Sequence, residues 1–162
     1  LGKTSKLIGD FARRNTKVIA LSVDPINSHY EWVKDINETQ QTEVTFPIIA
    51  DADRSIATAY DMIHPNATEK FTVRSVFIID PHHKVRLTLT YPASTGRNFY
   101  ELLRVLDSLQ LTEYEKVATP ADWQHGEDVV ILPSVSDEMA RELFPQGFTT
   151  VKSYLRTTNL NK

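Results

Sequence analysis

Cysteine is absent from these 162 residues. No disulfide, no thiolate nucleophile and no cysteine-ligated metal can therefore be built from them alone. An excess of positive charge is also lacking: 18 Lys+Arg stand against 21 Asp+Glu, for a formal net charge of -3. That balance lacks the basic footprint of a nucleic-acid binder and argues against such a partner. No apolar run approaches the roughly 18 residues of a membrane span, and no charged-then-apolar leader opens the sequence. The expectation is a soluble, intracellular protein in the cytoplasm. Asn37-Glu38-Thr39 and Asn66-Ala67-Thr68 match the glycosylation pattern formally and are read as chance matches. Internal repeats and low-complexity segments are absent too.

What is present begins abruptly. Residue 1 is Leu, and Leu7, Ile8, Phe11 and Ala12 already follow helical spacing, so Leu1 to Asn15 reads as a helix without a cap. The expectation is that something precedes it. Lys17-Val-Ile-Ala-Leu-Ser-Val23 is a nearly continuous apolar run, the pattern of a strand covered on both faces and central in a sheet. Ser28 and Glu31 have capping-box spacing for a helix carrying Trp32, Val33 and Ile36, which leads to a second strand over Phe46 to Ala50. A short helix is expected around Ile56 to Met62 with Asp53 as its cap, then a polar loop from His64 to Lys70.

The pattern then changes. Val76 to Ile79, a type I turn at Asp80-Pro81 and the alternation of Val85, Leu87, Leu89 and Tyr91 with Arg86, Thr88 and Thr90 predict an antiparallel hairpin with one wet face. After it comes a helix from Asn98 to about Leu111. Asn98 is placed to cap it, Glu101 stands at its third position, and Phe99, Leu102, Leu103, Leu106 and Leu109 form one apolar stripe. Parallel units with crossover helices, a hairpin and a long helix describe an α/β, thioredoxin-like sheet with flanking helices, its first strands lying before residue 1. This domain is expected over 1–115.

From Lys116 the composition shifts to a small α+β extension over 116–162. A linker, Ala118 to Gly126, precedes a strand over Val129 to Leu132, a helix started by Ser136 with Met139, Leu143 and Phe144, and a last strand near Tyr154 to Arg156. A segment this small is expected to lean on the main domain or on a second subunit.

Two arginines stand out. Arg74 opens the otherwise apolar strand Thr72 to Ile79, and Arg97 follows Thr95-Gly96 just ahead of a helix. Each has an ordinary reading: a solvated strand-end charge paired with a surface acid for Arg74, a helix-start guanidinium bound to backbone carbonyls for Arg97. Arg74 also has a functional one, a fixed fork of donors that stabilises a thiolate or an oxyanion. The five histidines, His29, His64, His82, His83 and His125, show neither i, i+4 helical spacing nor a cysteine ligand nearby, so no metal is expected and no cofactor is implied. No Gly-x-Ser-x-Gly elbow supports a hydrolase triad. Trp32 and Trp123 read as packing aromatics.

The string Tyr91 to Thr112, followed by Val117-Ala-Thr-Pro-Ala-Asp-Trp123 and Gly126, closely resembles the one-cysteine peroxiredoxins. Lys17 to Asp24, Trp32 to Asn37, Phe46 to Ile49, Val129 to Pro133 and Leu143 to Gly147 resemble them as well, so the likeness covers essentially the whole chain, the C-terminal extension included. The resemblance implies a thiol-dependent peroxidase whose cysteine attacks a peroxide oxygen and becomes a sulfenic acid, reduced in turn by an external thiol. It implies catalytic Arg74, in its Val-Arg-Ser-Val-Phe context, supporting Arg97, and a cysteine opening the helix whose later part is Leu1 to Arg14. That cysteine lies before residue 1. A homodimer paired along the edge strand Val85 to Tyr91, with residues after about Ala118 reaching the partner, is also expected. Two other readings stand beside this one: a non-catalytic thioredoxin-like interaction module, and a phospholipase. The phospholipase is disfavoured because the family's triad Asp directly follows the hairpin proline, where this chain has His82 after Pro81, with Asp80 before it.

Overall fold

Leu7 leaves helical backbone values (φ -104°, ψ 6°), so the first helical stretch divides into α1 (Gly2–Lys6) and α2 (Ile8–Arg13), neither with a side-chain cap. Leu7 and Phe11 carry its buried face. The computed structural model describes residues 1–63 and 73–161, which fall into two units, Leu1–Phe99 and Tyr100–Lys162. The polar loop expected from His64 to Lys70 lies outside the described residues.

In the first unit, β1 (Ala20–Ser22), α3 (Ile26–Gln40) and β2 (Ile48–Ala50) form the expected strand, helix, strand unit, with Ala20 paired in parallel to Ile48. The strand is shorter than the apolar run: only Ala20–Ser22 forms it, half-buried, and among the described residues it pairs with β2. Ile19, inside the apolar run, is 64% exposed.

The capping box at Ser28 is also corrected. α3 starts at Ile26 with extended Pro25 as N-cap and no side-chain cap bond, and the amide of Ser28 donates to the carbonyl of Pro25 (3.0 Å). Proline's fixed φ starts the helix early, which leaves Ser28 inside the first turn.

The next helix, α4 (Ser55–Ala59), shows why an aspartate pair precedes it. Asp53 accepts from the Ser55 amide (3.1 Å), as expected of a cap. Asp51, 3% exposed, reaches deeper: its Oδ1 accepts from the Ile56 amide (3.1 Å) and its Oδ2 from the Ala57 amide (2.7 Å). Two donors that a helix start leaves unsatisfied are thereby paired. The hairpin forms as the alternation predicts, with β3 (Arg74–Ile79) antiparallel to β4 (Val85–Tyr91). Its turn closes through the His83 amide to the Asp80 carbonyl (2.9 Å), and Asp80 Oδ1 accepts from the amides of His82 (2.9 Å) and Lys84 (3.0 Å).

α5 (Phe99–Tyr114) begins at the boundary of the units and buries Leu102, Leu103 and Leu106 of the predicted stripe. Both Glu101 oxygens accept from Arg104, at 2.6 and 2.7 Å. The second unit continues with β5 (Val117–Ala118), β6 (Val129–Ile131), α6 (Asp137–Leu143), β7 (Thr149–Lys152) and β8 (Leu155–Thr158), in the sheet order β5-β6-β8-β7. Ser136 caps α6 as expected, its Oγ accepting from the Met139 amide (3.2 Å). Phe144 is buried beyond the end of that helix, while Met139 and Leu143 stay exposed.

The segment packs against α5, whose residues fall within the expected main domain. Val117, Trp123, Val129, Ile131, Val135, Ala140 and Phe144 form a buried cluster, and Leu111 of α5 packs against it. The linker is part of that core: Trp123 is 2% exposed, and its Nε1 donates to the Glu127 carbonyl (3.1 Å). Inclusion of a turn of α5 and a deeply buried tryptophan supplies the apolar area that residues 116–162 alone lack.

Candidate active site

Arg74 opens β3 because the apolar residues after it, Val76 to Ile78, hold the strand, leaving the guanidinium exposed at its end. Directly across the ladder stands Tyr91, the last residue of β4, so the two side chains share one face of the hairpin. From Tyr91 the chain turns at once. The Thr95 amide donates to the Pro92 carbonyl (2.9 Å), and the Thr95 carbonyl in turn accepts from Arg74 Nη1 (3.3 Å). The backbone of Arg97, two residues further, lies within about 7 Å of that of Thr95 by chain reach.

The electrostatics agree with this geometry. Burial, then the charge of Arg74, lower the pKa of the half-buried Arg97 guanidinium, and nearby Tyr91 opposes them. The backbone nitrogen of Leu1 lies within electrostatic reach of Arg97. Leu1 is the residue at which α1 starts, with the Ser5 amide donating to its carbonyl (2.9 Å). Arg74, Arg97 and the start of α1 thus converge. Neither arginine forms an ion pair with a carboxylate among the described residues. A half-buried guanidinium, Arg97, near a second one that bonds the Thr95 carbonyl is an arrangement suited to stabilising an anion such as a thiolate.

Both arginines singled out in the sequence therefore meet in one place. Their neighbours carry weaker signals: Tyr91 reads as an alternating strand residue, and the Thr95 carbonyl gives no signal in a side-chain pattern. The histidines do not gather. His82, His83 and His125 are exposed, His64 lies outside the described residues, and His29 is buried beside Trp32 (ring centroids 6.5 Å apart), with neither ring nitrogen bonded among the described residues. Among the described residues no group of three His, Cys, Asp or Glu is placed to hold a metal ion. Asp80, the carboxylate nearest the hairpin proline, is engaged by two turn amides and by Arg86 Nη1 (3.4 Å), and these bonds hold its carboxyl below the ordinary range.

Comparison with known proteins bears on the same residues. Residues 1–88 match the AhpC/TSA family, and residues 108–147 match the C-terminal domain of 1-Cys peroxiredoxin. The chain is 58% identical to the 1-Cys peroxiredoxin of Dictyostelium discoideum, over 98% of its own length and 66% of the relative's. It is 47% identical to peroxiredoxin-6 of Gallus gallus, over 98% and 76%. The chain thus spans about two thirds to three quarters of the length of these relatives. A crystal structure of a cysteine-to-serine mutant of Arenicola marina peroxiredoxin 6 superposes with a TM-score of 0.89 at 46% identity, over 98% of this chain and 76% of that one. A yeast mitochondrial 1-Cys peroxiredoxin, described for thiol resolution via glutathione/thioredoxin systems, does so at 0.90 and 45%, over 98% and 77%. The fold is accordingly the thioredoxin-like one of these structures. With a matched family over more than half its residues, relatives along nearly all of them and two arginines brought beside a helix start, this chain belongs to the peroxiredoxin family and groups with its 1-Cys members.

Proposed function

We propose that these residues form the arginine-bearing part of a thiol-dependent peroxidase that reduces hydrogen peroxide and organic hydroperoxides, its cysteine lying outside the 162 residues. The observation that carries this reading is the convergence of Arg74 and Arg97 on the start of α1. In the reaction, a thiolate sulfur attacks one peroxide oxygen, the O–O bond breaks, and the other oxygen leaves as an alcohol or water after taking up a proton. The resulting sulfenic acid is reduced by two external thiols, which become a disulfide and release water. Two fixed guanidiniums favour the thiolate over the thiol and stabilise the charge that develops on the leaving oxygen. The external reductant belongs to the class named for the yeast relative, glutathione or thioredoxin.

The same proposal places the protein in the cytoplasm as a homodimer, with Arg74 catalytic and Arg97 in support. No observation favours the non-catalytic module. The phospholipase reading has no support either, since Asp80 serves the hairpin turn.

Consumption of hydrogen peroxide by the cysteine-containing protein, with glutathione as reductant, tests the proposal. Arg74→Lys keeps the charge and loses the planar fork, so peroxide reduction should slow by roughly tenfold or more, with thermal unfolding unchanged. An unchanged rate constant in stopped flow would falsify the catalytic assignment of Arg74. Absence of any peroxide consumption by the unmodified protein would overturn the function.

A further inference from the structure

We propose that Met139 is an oxidation site of the folded protein: peroxide converts its thioether to the sulfoxide, and a methionine sulfoxide reductase restores it without unfolding. Neither the cysteine nor the two arginines take part. The chain has two methionines, and the fold separates them. Met62 is 9% exposed, with its amide donating to the Ala57 carbonyl (2.8 Å) and its carbonyl accepting from the Val73 amide (2.9 Å). Met139 is 47% exposed. Its position follows from local structure: Ser136 Oγ accepts from the Met139 amide (3.2 Å), which fixes the residue in the first turn of α6. The core side of that helix is taken by Ala140, with buried Phe144 just past its end. Leu143, one turn on from Met139, is itself exposed, as are Glu138 and Glu142.

A thioether is a soft electron-pair donor with no proton to lose, so it reacts with peroxide as it stands. The sulfur attacks one oxygen of hydrogen peroxide, the O–O bond breaks, and the other oxygen leaves as water after proton transfer to it. Sulfur is oxidised to the sulfoxide and peroxide is reduced. The oxidant is of the class on which this family acts. Oxidation turns a flexible apolar side chain into a polar one, a change that disrupts a core position and that an exposed position accommodates. Ala140 and Phe144 keep their places in the cluster around Trp123. The sulfoxide therefore stays within reach of a reductase, where two thiols supply the electrons, become a disulfide and carry the oxygen off as water.

The whole protein with its cysteine replaced by serine is the material for the test, so that turnover does not consume the peroxide. After graded exposure to hydrogen peroxide and peptide mass mapping, Met139 should gain one oxygen roughly tenfold or more faster than Met62, whose sulfur reacts only when its surroundings open. In guanidinium the two rates should converge. The thermal transition should be unchanged by oxidation of Met139, and the two epimer-specific reductases with dithiothreitol should remove the oxygen from folded protein. Met139→Leu should abolish the fast site and leave the Met62 rate as it was.

Equal rates at the two methionines in folded protein, or slower reaction at Met139, overturn the site. A difference that persists in guanidinium belongs to the neighbouring sequence and overturns its origin in the fold. Loss of the thermal transition on oxidation, or a sulfoxide that the reductases remove only after unfolding, overturns the repair. Peroxide turnover by the unmodified protein judges the peroxidase reading separately.

Discussion

Arg97 is the residue in which burial and repulsion act together, because a guanidinium is tolerated away from bulk water only when something nearby balances it. Its pKa is lowered by burial and by Arg74, while Tyr91 opposes the shift. That single residue connects sequence to function most directly: the Thr95-Gly96-Arg97 string was visible, but its neighbours across the hairpin were not. Asp51 teaches the same lesson for stability. As an acid following an apolar strand it drew no notice beside Asp53, yet it is the buried carboxylate that binds the first amides of α4. Sequence spacing identifies a capping residue type, and the depth of the side chain then decides how many donors it reaches.

At the scale of elements, the hairpin and α6 follow their sequence signals because those signals are local: period-two alternation, an Asp-Pro turn, a serine cap. The hairpin turn also carries a pH signature. Asp80 has its carboxyl pKa lowered, first by the Lys84 amide bond, with further bonds from His82 and Arg86. A depressed carboxylate stabilises the turn above its unfolded pKa, near 4, and that contribution is lost as pH falls through the lower folded value. In an NMR titration the amide resonances of His82 and Lys84 should therefore move together, with a midpoint below that of an ordinary aspartate. A midpoint at the ordinary value would show that these bonds do not hold Asp80 ionised. Elements whose signals depend on distant partners were less legible. β7, Thr149–Lys152, has no apolar alternation and is exposed along its length, so it depends on β8 for its existence.

At the scale of the whole molecule, the fold class and family were legible because the likeness runs the length of the chain, whereas the core of the second unit was not. Trp123 sits in a stretch that composition marks as linker, and only its burial against Val117, Val129, Ile131 and Phe144 makes the region a core. Assembly belongs to this scale too. Among the described residues β4 bonds only to β3, and the proposed homodimer would pair its other edge with its copy. Multi-angle light scattering of the cysteine-containing protein should return twice the chain mass at micromolar concentration; monomer alone would remove the edge-to-edge arrangement.

The central claim is that Arg74 and Arg97 act on a thiolate placed at the start of α1. Titration of that cysteine in the cysteine-containing protein, followed by thiolate absorbance at 240 nm, tests it most directly. The account predicts a midpoint well below the ordinary thiol value of about 8.5, rising when either arginine is replaced, Arg97→Gln or Arg74→Lys. A cysteine that titrates at the ordinary value, or one whose midpoint ignores both substitutions in folded protein, would contradict it.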